Sequence, residues 1–182
     1  MKKVLLVALS LLMITPAIQA KDKEEEVKIV LIKEENSDNY YYEGGVPVEG
    51  VSKEEMFKRA KEWVLSNFKT GDNNIEFDEQ NLSIFNSPTI ILEKFKNNAG
   101  DYLNFKIKLL FKEGKYKFRF DNLIVKSNVF FNDPPKPYNG GKMWPGGRYN
   151  QSIIDNTNKT LAALATELEN KIKGTAGKKD EW

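Results

Sequence analysis

Two neighbouring stretches of the chain carry apolar side chains at every second position, with polar residues and Leu110 between them, and a turn signal, K-E-G-K, separates the two stretches. The apolar positions of the two stretches are Leu103, Phe105, Ile107, Leu109 and Phe111, then Tyr116, Phe118 and Phe120. A period of two is typical of half-buried strands, so the pattern predicts an antiparallel hairpin with one apolar and one basic face. Burying five such side chains contributes on the order of 10 kcal/mol, so the apolar face must be covered.

Two helices are predicted to provide that cover. Residues 48–68 carry the first, because Ser52 is a suitable N-cap and Glu55 follows three residues later, as in a capping box. Its apolar stripe consists of Met56, Phe57, Ala60, Trp63, Val64 and Phe68. The second helix is predicted over residues 152–173, with Gly174 as its C-cap. Its stripe consists of Ile153, Ile154, Leu161, Leu164, Ala165, Leu168 and Ile172.

Shorter strands are predicted elsewhere, at residues 27–32, 40–48, 75–79 and 82–95. Gly44, Gly45 and Pro47 are typical of an edge strand with a bulge, and Ser87 and Pro88 interrupt the last strand. A helix followed by an antiparallel meander does not form a parallel doubly wound sheet. The sequence therefore predicts an α+β fold, with a largely antiparallel sheet of about five strands and two helices packed on one face.

The first twenty residues have the three parts of a secretory signal peptide. Lys2 and Lys3 supply the positive start, residues 4–14 are almost all apolar, and T-P-A-I-Q-A ends in small residues at Ala20. The apolar run is about half of the ~20 residues that a membrane span needs, which disfavours a membrane anchor. We expect cleavage after Ala20 and a periplasmic or extracellular mature protein without a transmembrane segment.

The mature chain is predicted to hold one domain. A charged leader with a short strand, residues 21–39, precedes a single α+β domain at residues 40–174, and residues 175–182 form a tail. Within the domain, residues 127–150 contain four prolines, four glycines and five aromatic residues. Loops of this length without regular structure are often functional.

Composition removes several kinds of chemistry. The chain has no cysteine and no histidine, so disulfides, thiolate metal sites, Ser-His-Asp triads and imidazole bases are excluded. We expect neither a cofactor nor a metal. Removal of Lys2 and Lys3 with the signal peptide leaves 26 of the 28 basic residues against 26 acidic ones, so the mature chain is formally neutral. Overall charge therefore does not indicate a nucleic-acid partner.

Part of the chain resembles a known family. The resemblance lies in V-E-G-V-S-K-E-E-M-F-K-R-A-K-E-W-V, in the I-E-F-D-E strand, and in the L-N-F-K-I-K-L-L-F and Y-K-F-R-F-D-N-L-I-V hairpin. These segments are similar to exported bacterial domains of unknown function with a TATA-box-binding-protein-like fold. The resemblance covers about residues 40–125. It implies a fold and an exported location, but no activity and no site residues.

The basic face of the predicted hairpin is one candidate site. It comprises Lys106, Lys108, Lys112, Lys117 and Arg119, joined by Lys94 and Lys96 from the neighbouring strand. The face is interpreted either as a solvated sheet surface or as a binding surface for an anionic glycan or lipid. Nucleic acid is disfavoured, because a sheet that kinks DNA needs apolar wedges where this face has lysines.

The aromatic loop at residues 127–150 is the second candidate. Its recognition surface would consist of Phe130, Phe131, Tyr138, Trp144, Arg148 and Tyr149. Rigid aromatic rings give a large contact area at a low cost in entropy, which favours a partner site. The alternative is that the rings fold back and cover an open end of the core.

Carboxylates are numerous, but no spacing selects a catalytic pair. The favoured hypothesis is an exported, non-catalytic binding or accessory domain of the bacterial envelope, whose partner is an envelope protein, a peptide or a glycan. One alternative is a histidine-free hydrolase that acts on an envelope glycan through two carboxylates. Another is a structural subunit of an envelope assembly, which would leave a large apolar patch uncovered.

Overall fold

The computed structural model describes residues 31–68, 75–92, 100–140 and 143–175. The predicted signal peptide, most of the charged leader, Lys94, Lys96 and most of the tail lie outside these residues. The strands are β1 (Ile32–Lys33), β2 (Tyr40–Pro47), β3 (Glu76–Asp78), β4 (Ser83–Asn86), β5 (Thr89–Ile91), β6 (Tyr102–Lys112), β7 (Lys115–Lys126) and β8 (Lys136–Pro137), and the helices are α1 (Lys53–Asn67) and α2 (Gly147–Lys173).

All the strands belong to one antiparallel sheet, in which the predicted hairpin of β6 and β7 is central. The order is β1-β2-β7-β6-β4-β3, while β5 pairs with β6 and β8 pairs with β7. The α+β class is confirmed, but about five strands was an undercount for this sheet of eight. Ser87 and Pro88 split the predicted strand at residues 82–95 into β4 and β5, and β8 arises from two residues of the long loop.

A bulge changes the phase of β7 halfway along. Lys106 of β6 lies opposite Asp121, but Asn104 lies opposite Ile124, so β7 has one extra residue between the two pairs. Asn122 supplies it in the left-handed region, with φ 51°. Because side chains alternate between the faces, the extra residue turns Leu123 toward the helices and Ile124 away from them.

The strand β2 contains no such bulge, contrary to the sequence prediction. Its pairing with β7 runs without interruption from Tyr42 to Pro47. Gly44 has another reason to be glycine, because the ring of Phe118 covers it. A Cβ at Gly44 would lie 2.7 Å from Cε1 of that ring.

The helix α1 begins where the sequence predicts. Ser52 is the N-cap, and its Oγ accepts a hydrogen bond from the Glu55 amide at 3.2 Å. The carboxylate of Glu55 accepts a hydrogen bond from Nε of Arg59 at 2.8 Å, so the side chain of Glu55 is bound one helical turn after Glu55 itself. Arg59 also donates from Nη1 to the carbonyl of Ile172 at 2.7 Å, which joins α1 to the end of α2.

The helix α2 begins at Gly147, five residues earlier than predicted. Asn150 explains the difference, because its buried side chain forms hydrogen bonds with the backbone of the residues that precede the helix. Its Oδ1 accepts from the amides of Met143 and Trp144, both at 3.2 Å, and its Nδ2 donates to the carbonyl of Gly146. The C-terminus is as predicted, with Gly174 at φ 73° as the C-cap. Neither described helix is long and apolar enough to cross a membrane.

Both helices and one face of the sheet enclose a single core. From the sheet it takes the predicted apolar positions of β6 and β7, and from α1 and α2 it takes Met56, Ala60, Trp63, Val64, Ile153, Leu161, Leu168 and Ile172. The opposite face carries the alternate positions of the strands and is covered by neither helix. We call it the open face.

Candidate functional site

Of the seven basic residues proposed from the sequence, Lys94 and Lys96 lie outside the described residues and Lys112 is the last residue of β6, while the other four lie together on the open face. Lys108 is directly opposite Arg119 across β6 and β7, while Lys117 and Lys106 occupy neighbouring positions on the same side. Strict alternation in a regular hairpin explains this agreement. The environments of the four side chains differ.

Arg119 is held by acidic side chains from three parts of the chain. Its guanidinium binds Asp121 at 2.9 Å, Glu34 at 3.2 Å and Glu43 at 3.5 Å, and it lies 3.9 Å from the centre of the Tyr41 ring. Burial alone would lower the pKa of Arg119, but the bond to Asp121 and the three negative charges raise it. Arg119 therefore fastens the β1–β2 turn to the sheet.

Lys106, Lys108 and Lys117 form fewer contacts with other side chains than Arg119 does. Lys117 forms an ion pair with Glu43 at 3.1 Å, and Nζ of Lys108 lies 5.4 Å from the centre of the Phe85 ring. Lys106 is exposed and has no carboxylate within ion-pair distance among the described residues. The open face thus keeps unpaired positive charge along β6, while the β2 side of the face is neutralised.

A groove of about 630 Å³ lies on the open face beyond the bulge of β7. Strands β5, β6 and β7 form its floor, and the chain around β8 contributes a wall. Its lining residues are Thr89, Tyr102, Asn104, Ile124, Lys126, Asn128 and Pro135. The size is within the range of small-molecule and peptide sites.

The floor of the groove is built from two rows of side chains that cross the strands. One row runs through Thr89, Asn104 and Ile124, one residue from each of β5, β6 and β7, and Pro137 of β8 continues it beyond the groove. The other runs through Tyr102 and Lys126, and Ile91 of β5 continues it at the groove edge. The bulge at Asn122 is what puts Ile124 and Lys126 in these rows, since an unbulged strand would present Leu123 and Val125 instead.

One end of the groove is fixed by a buried carboxylate. Asp101 accepts from the amide of Asn128 at 2.8 Å and from the hydroxyl of Tyr149 at 2.9 Å. The same Tyr149 hydroxyl contacts Oγ of Ser127, which in turn accepts from the amide of Phe130 at 2.9 Å. Burial raises the pKa of Tyr149, so the hydroxyl stays protonated and can donate. The end of β7 is thereby bound to the first turn of α2.

A second set of contacts holds the loop before β8. Asp133 accepts from Nε1 of Trp144 at 3.1 Å and pairs with Lys136 at 2.9 Å, and Nζ of Lys136 lies 5.0 Å from the centre of the Trp144 ring. The hydrogen bond from Lys136 is the main cause that lowers the pKa of Asp133. Because Pro135 lies between the two members of this ion pair, the groove wall is attached to the buried Trp144.

The loop aromatics do not form one exposed surface, which corrects that part of the sequence prediction. Tyr138 and Trp144 are only 3% and 5% exposed, because Tyr138 packs edge-on against Tyr40 while Trp144 stacks on Phe130 and meets Tyr149. These rings cover an end of the core. Of the six proposed residues, Phe131, which is 71% exposed, and Arg148 are open to solvent.

The arrangement of these strands and helices agrees with the family found by comparison. Residues 42–126 match the domain of unknown function DUF4468, which has a TBP-like fold. This confirms the resemblance seen over about residues 40–125. The match to DUF4468 covers β2 through β7 and thus the floor of the groove, whereas β8 and α2 lie beyond it.

Two solved structures share the fold. A TBP-like protein from Parabacteroides distasonis superimposes with a TM-score of 0.63 at 15% identity, over 78% of this chain and 97% of that one. A DUF4468 family protein from Bacteroides ovatus gives 0.60 at 13% identity, over 85% and 96%. No curated protein matches the chain.

The groove residues were missed because the strands around them were assigned only in part. One signal was present in the sequence. Apolar residues stand at even positions of β7 up to Phe120, but Leu123, Ile124 and Val125 are apolar in succession, and such an interruption of the period of two is compatible with a bulge. The pairing of β5 and β8 beside it has no comparable local signal. No group of three acidic residues suited to hold a metal is present in the described segments.

Proposed function

We propose that this protein is an exported, non-catalytic binding domain of the bacterial envelope, and that it binds a segment of a partner protein in the groove on its open face. The observation that carries the proposal is the groove itself, a concave site of about 630 Å³ with an apolar floor. Such sites, with a few placed polar groups, are the usual location of ligand binding.

The surroundings of the groove support this assignment. Both ends of its wall are held by partly buried hydrogen bonds, through Asp101 at one end and Asp133 with Trp144 at the other. A site whose shape is fixed before binding loses less entropy when a ligand arrives. Beside Tyr102, the side chain of Ile91 is 54% exposed, which extends the apolar surface past the edge of the groove.

The exported and non-catalytic parts of the proposal rest on the sequence. Residues 1–20 carry the signal-peptide pattern, and the absence of histidine and cysteine removes the commonest catalytic side chains. Expression of the full chain with a C-terminal tag tests export. We expect a periplasmic or secreted product whose intact mass corresponds to a start at Lys21. A product that keeps residues 1–20 and stays in the cytoplasm would contradict it.

Binding in the groove is tested by site-specific photo-crosslinking in the native host. Benzoyl-phenylalanine replaces Ile91 at the edge of the groove or, as a matched control, Leu65, which is also exposed but lies on α1. We expect a discrete adduct from position 91 alone. The adduct should disappear with Ile124→Asp and persist with Lys112→Gln, and circular dichroism checks that both variants are folded.

The same experiment can refute the proposal. Identical adducts from positions 91 and 65 would mean that capture is unspecific. An adduct from position 91 that survives Ile124→Asp in a folded protein would place the binding site elsewhere.

A further inference from the structure

The charge of the groove indicates what kind of segment it takes. Lys126 is the one charged residue among those that line it. Among the residues described by the structure, no carboxylate lies within ion-pair distance of its ammonium group. Many other lysines of the fold do have such partners, as Lys117 has Glu43 and Lys61 has Glu79.

The neighbouring charges act in the same direction. Lys106 stands two residues from Asn104 on the same face of β6, and Lys108 follows it. Glu34, Glu43 and Asp121 surround Arg119 on the β2 side of the open face, and Glu76 and Asp78 lie at its β3 edge. No acidic side chain is among the lining residues of the groove, so complementarity with Lys126 favours a negative ligand.

The apolar part of the ligand is defined by the floor. Ile124 and Pro135 are aliphatic, and Tyr102 is the one aromatic residue among those that line the groove. A sugar laid on Ile124 and Pro135 would leave hydroxyl groups buried without hydrogen-bond partners, which is costly. A peptide can place apolar side chains there and direct its polar groups to Asn104 and Thr89, which lie beside Ile124 in the same row.

The spacing of the ligand's side chains follows from the direction of β7. An extended peptide that lies along β7 advances about 3.4 Å per residue. Ile124 and Lys126 are two positions apart on one strand, or about 7 Å, which matches side chains i and i+2 of an extended peptide.

We propose that the groove binds an extended acidic peptide segment, with an apolar side chain on Ile124 and Tyr102 and, two residues away, a carboxylate on Lys126. The inference rests on the proposed function and adds the chemistry of the partner. The carboxylate selects the segment, and the apolar contact supplies most of the affinity.

Synthetic peptides test this directly. Three fluorescein-labelled octapeptides carry leucine at one position and glutamate, glutamine or lysine two residues later. Fluorescence anisotropy measures their binding to the mature protein, and amide chemical shifts locate it. We expect the glutamate peptide to bind roughly three- to fivefold more tightly than the glutamine peptide, as for an exposed ion pair. The lysine peptide should bind most weakly, and shifts should concentrate at Asn104, Ile124 and Lys126.

Matched variants separate the charge from the groove. Lys126→Gln should remove the preference for glutamate and leave binding of the glutamine peptide unchanged, whereas Lys112→Gln should preserve the preference. Raising the salt concentration should reduce the preference in the unmodified protein and have no such effect in Lys126→Gln.

Each failure has its own meaning. Equal binding of all three peptides in the groove would overturn the charge selection and leave groove binding intact. Shifts caused by chitotetraose and not by any peptide would overturn the peptide assignment in favour of a glycan. If no probe moves a groove amide, the acidic-peptide inference is wrong, and the crosslink from position 91 separately decides whether the groove binds at all.

Discussion

The ring of Phe118 lies so close over Gly44, its cross-strand neighbour, that a Cβ on Gly44 would approach Cε1 to 2.7 Å. The adjacent Gly45 faces the other way and would have no atom within 4 Å of an added Cβ. Two glycines that look equivalent in the sequence therefore have different roles. Gly44 leaves room for the Phe118 ring against β2, whereas Gly45 has no such neighbour.

These two glycines give a matched pair of substitutions. Gly44→Ala forces the Phe118 ring out of its packed position and should lower the free energy of unfolding by about 1–3 kcal/mol. Gly45→Ala should change it by less than about 1 kcal/mol. Urea denaturation of both variants measures the difference, and equal values would show that the ring can move aside without cost.

Trp144 and Phe131 distinguish core cover from surface in the aromatic loop. Trp144→Ala removes a buried ring that stacks on Phe130, so we expect a loss of about 3–5 kcal/mol in the free energy of unfolding. Phe131→Ala removes a ring that is 71% exposed and should stay within about 0.5 kcal/mol of the unmodified protein. A stable Trp144→Ala variant would mean that the loop does not close the core.

The bulge at Asn122 is open to a conformational test. Its φ of 51° suits glycine, so Asn122→Gly should retain stability to within about 0.5 kcal/mol, while Asn122→Val should lose about 1–3 kcal/mol. Lys106→Val, at a regular exposed position of β6, is the control for introducing valine as such. If Asn122→Val is as stable as Lys106→Val, the left-handed conformation is not required.

Alkaline pH should weaken the fold through its buried tyrosines. Burial raises the pKa of Tyr138 to about 12, from about 10 in an unfolded chain. Its contribution to stability is therefore complete below pH ~10 and is lost as the pH rises toward 12, because the unfolded state releases the proton first. Tyr138→Phe should make the free energy of unfolding fall less steeply between these pH values. Identical slopes for the two proteins would contradict the assignment.

The elements predicted well from the sequence are those whose signals are local. The start of α1 follows from Ser52 and an apolar stripe within 20 residues, and the central hairpin follows from a period of two across a short turn. The second helix was placed five residues too late, because its first turn, from Gly147 to Asn150, lies in a stretch rich in proline and glycine that indicates a loop. Only the folded chain reveals that Asn150 bonds the preceding loop.

The candidate site could be predicted only in part, for a physical reason. Lys106 and Lys108 were placed on the correct face because alternation determines it. The groove depends instead on the pairing of β5 and β8, which are only three and two residues long, and on the single extra residue in β7. Pairings between such short segments are selected by the completed sheet and leave no periodicity in the sequence.

The position of β7 next to β2 also affects how the chain acquires its shape. The β6–β7 hairpin closes over a turn at Gly114, so it can form at a low cost in loop entropy. By contrast, β2 can pair with β7 only by closing a loop that consists of residues 48–114. In a nascent or truncated chain that stops before β7, Tyr42 and Val46 therefore lack the strand against which they pair. The N-terminal half cannot form the native sheet on its own.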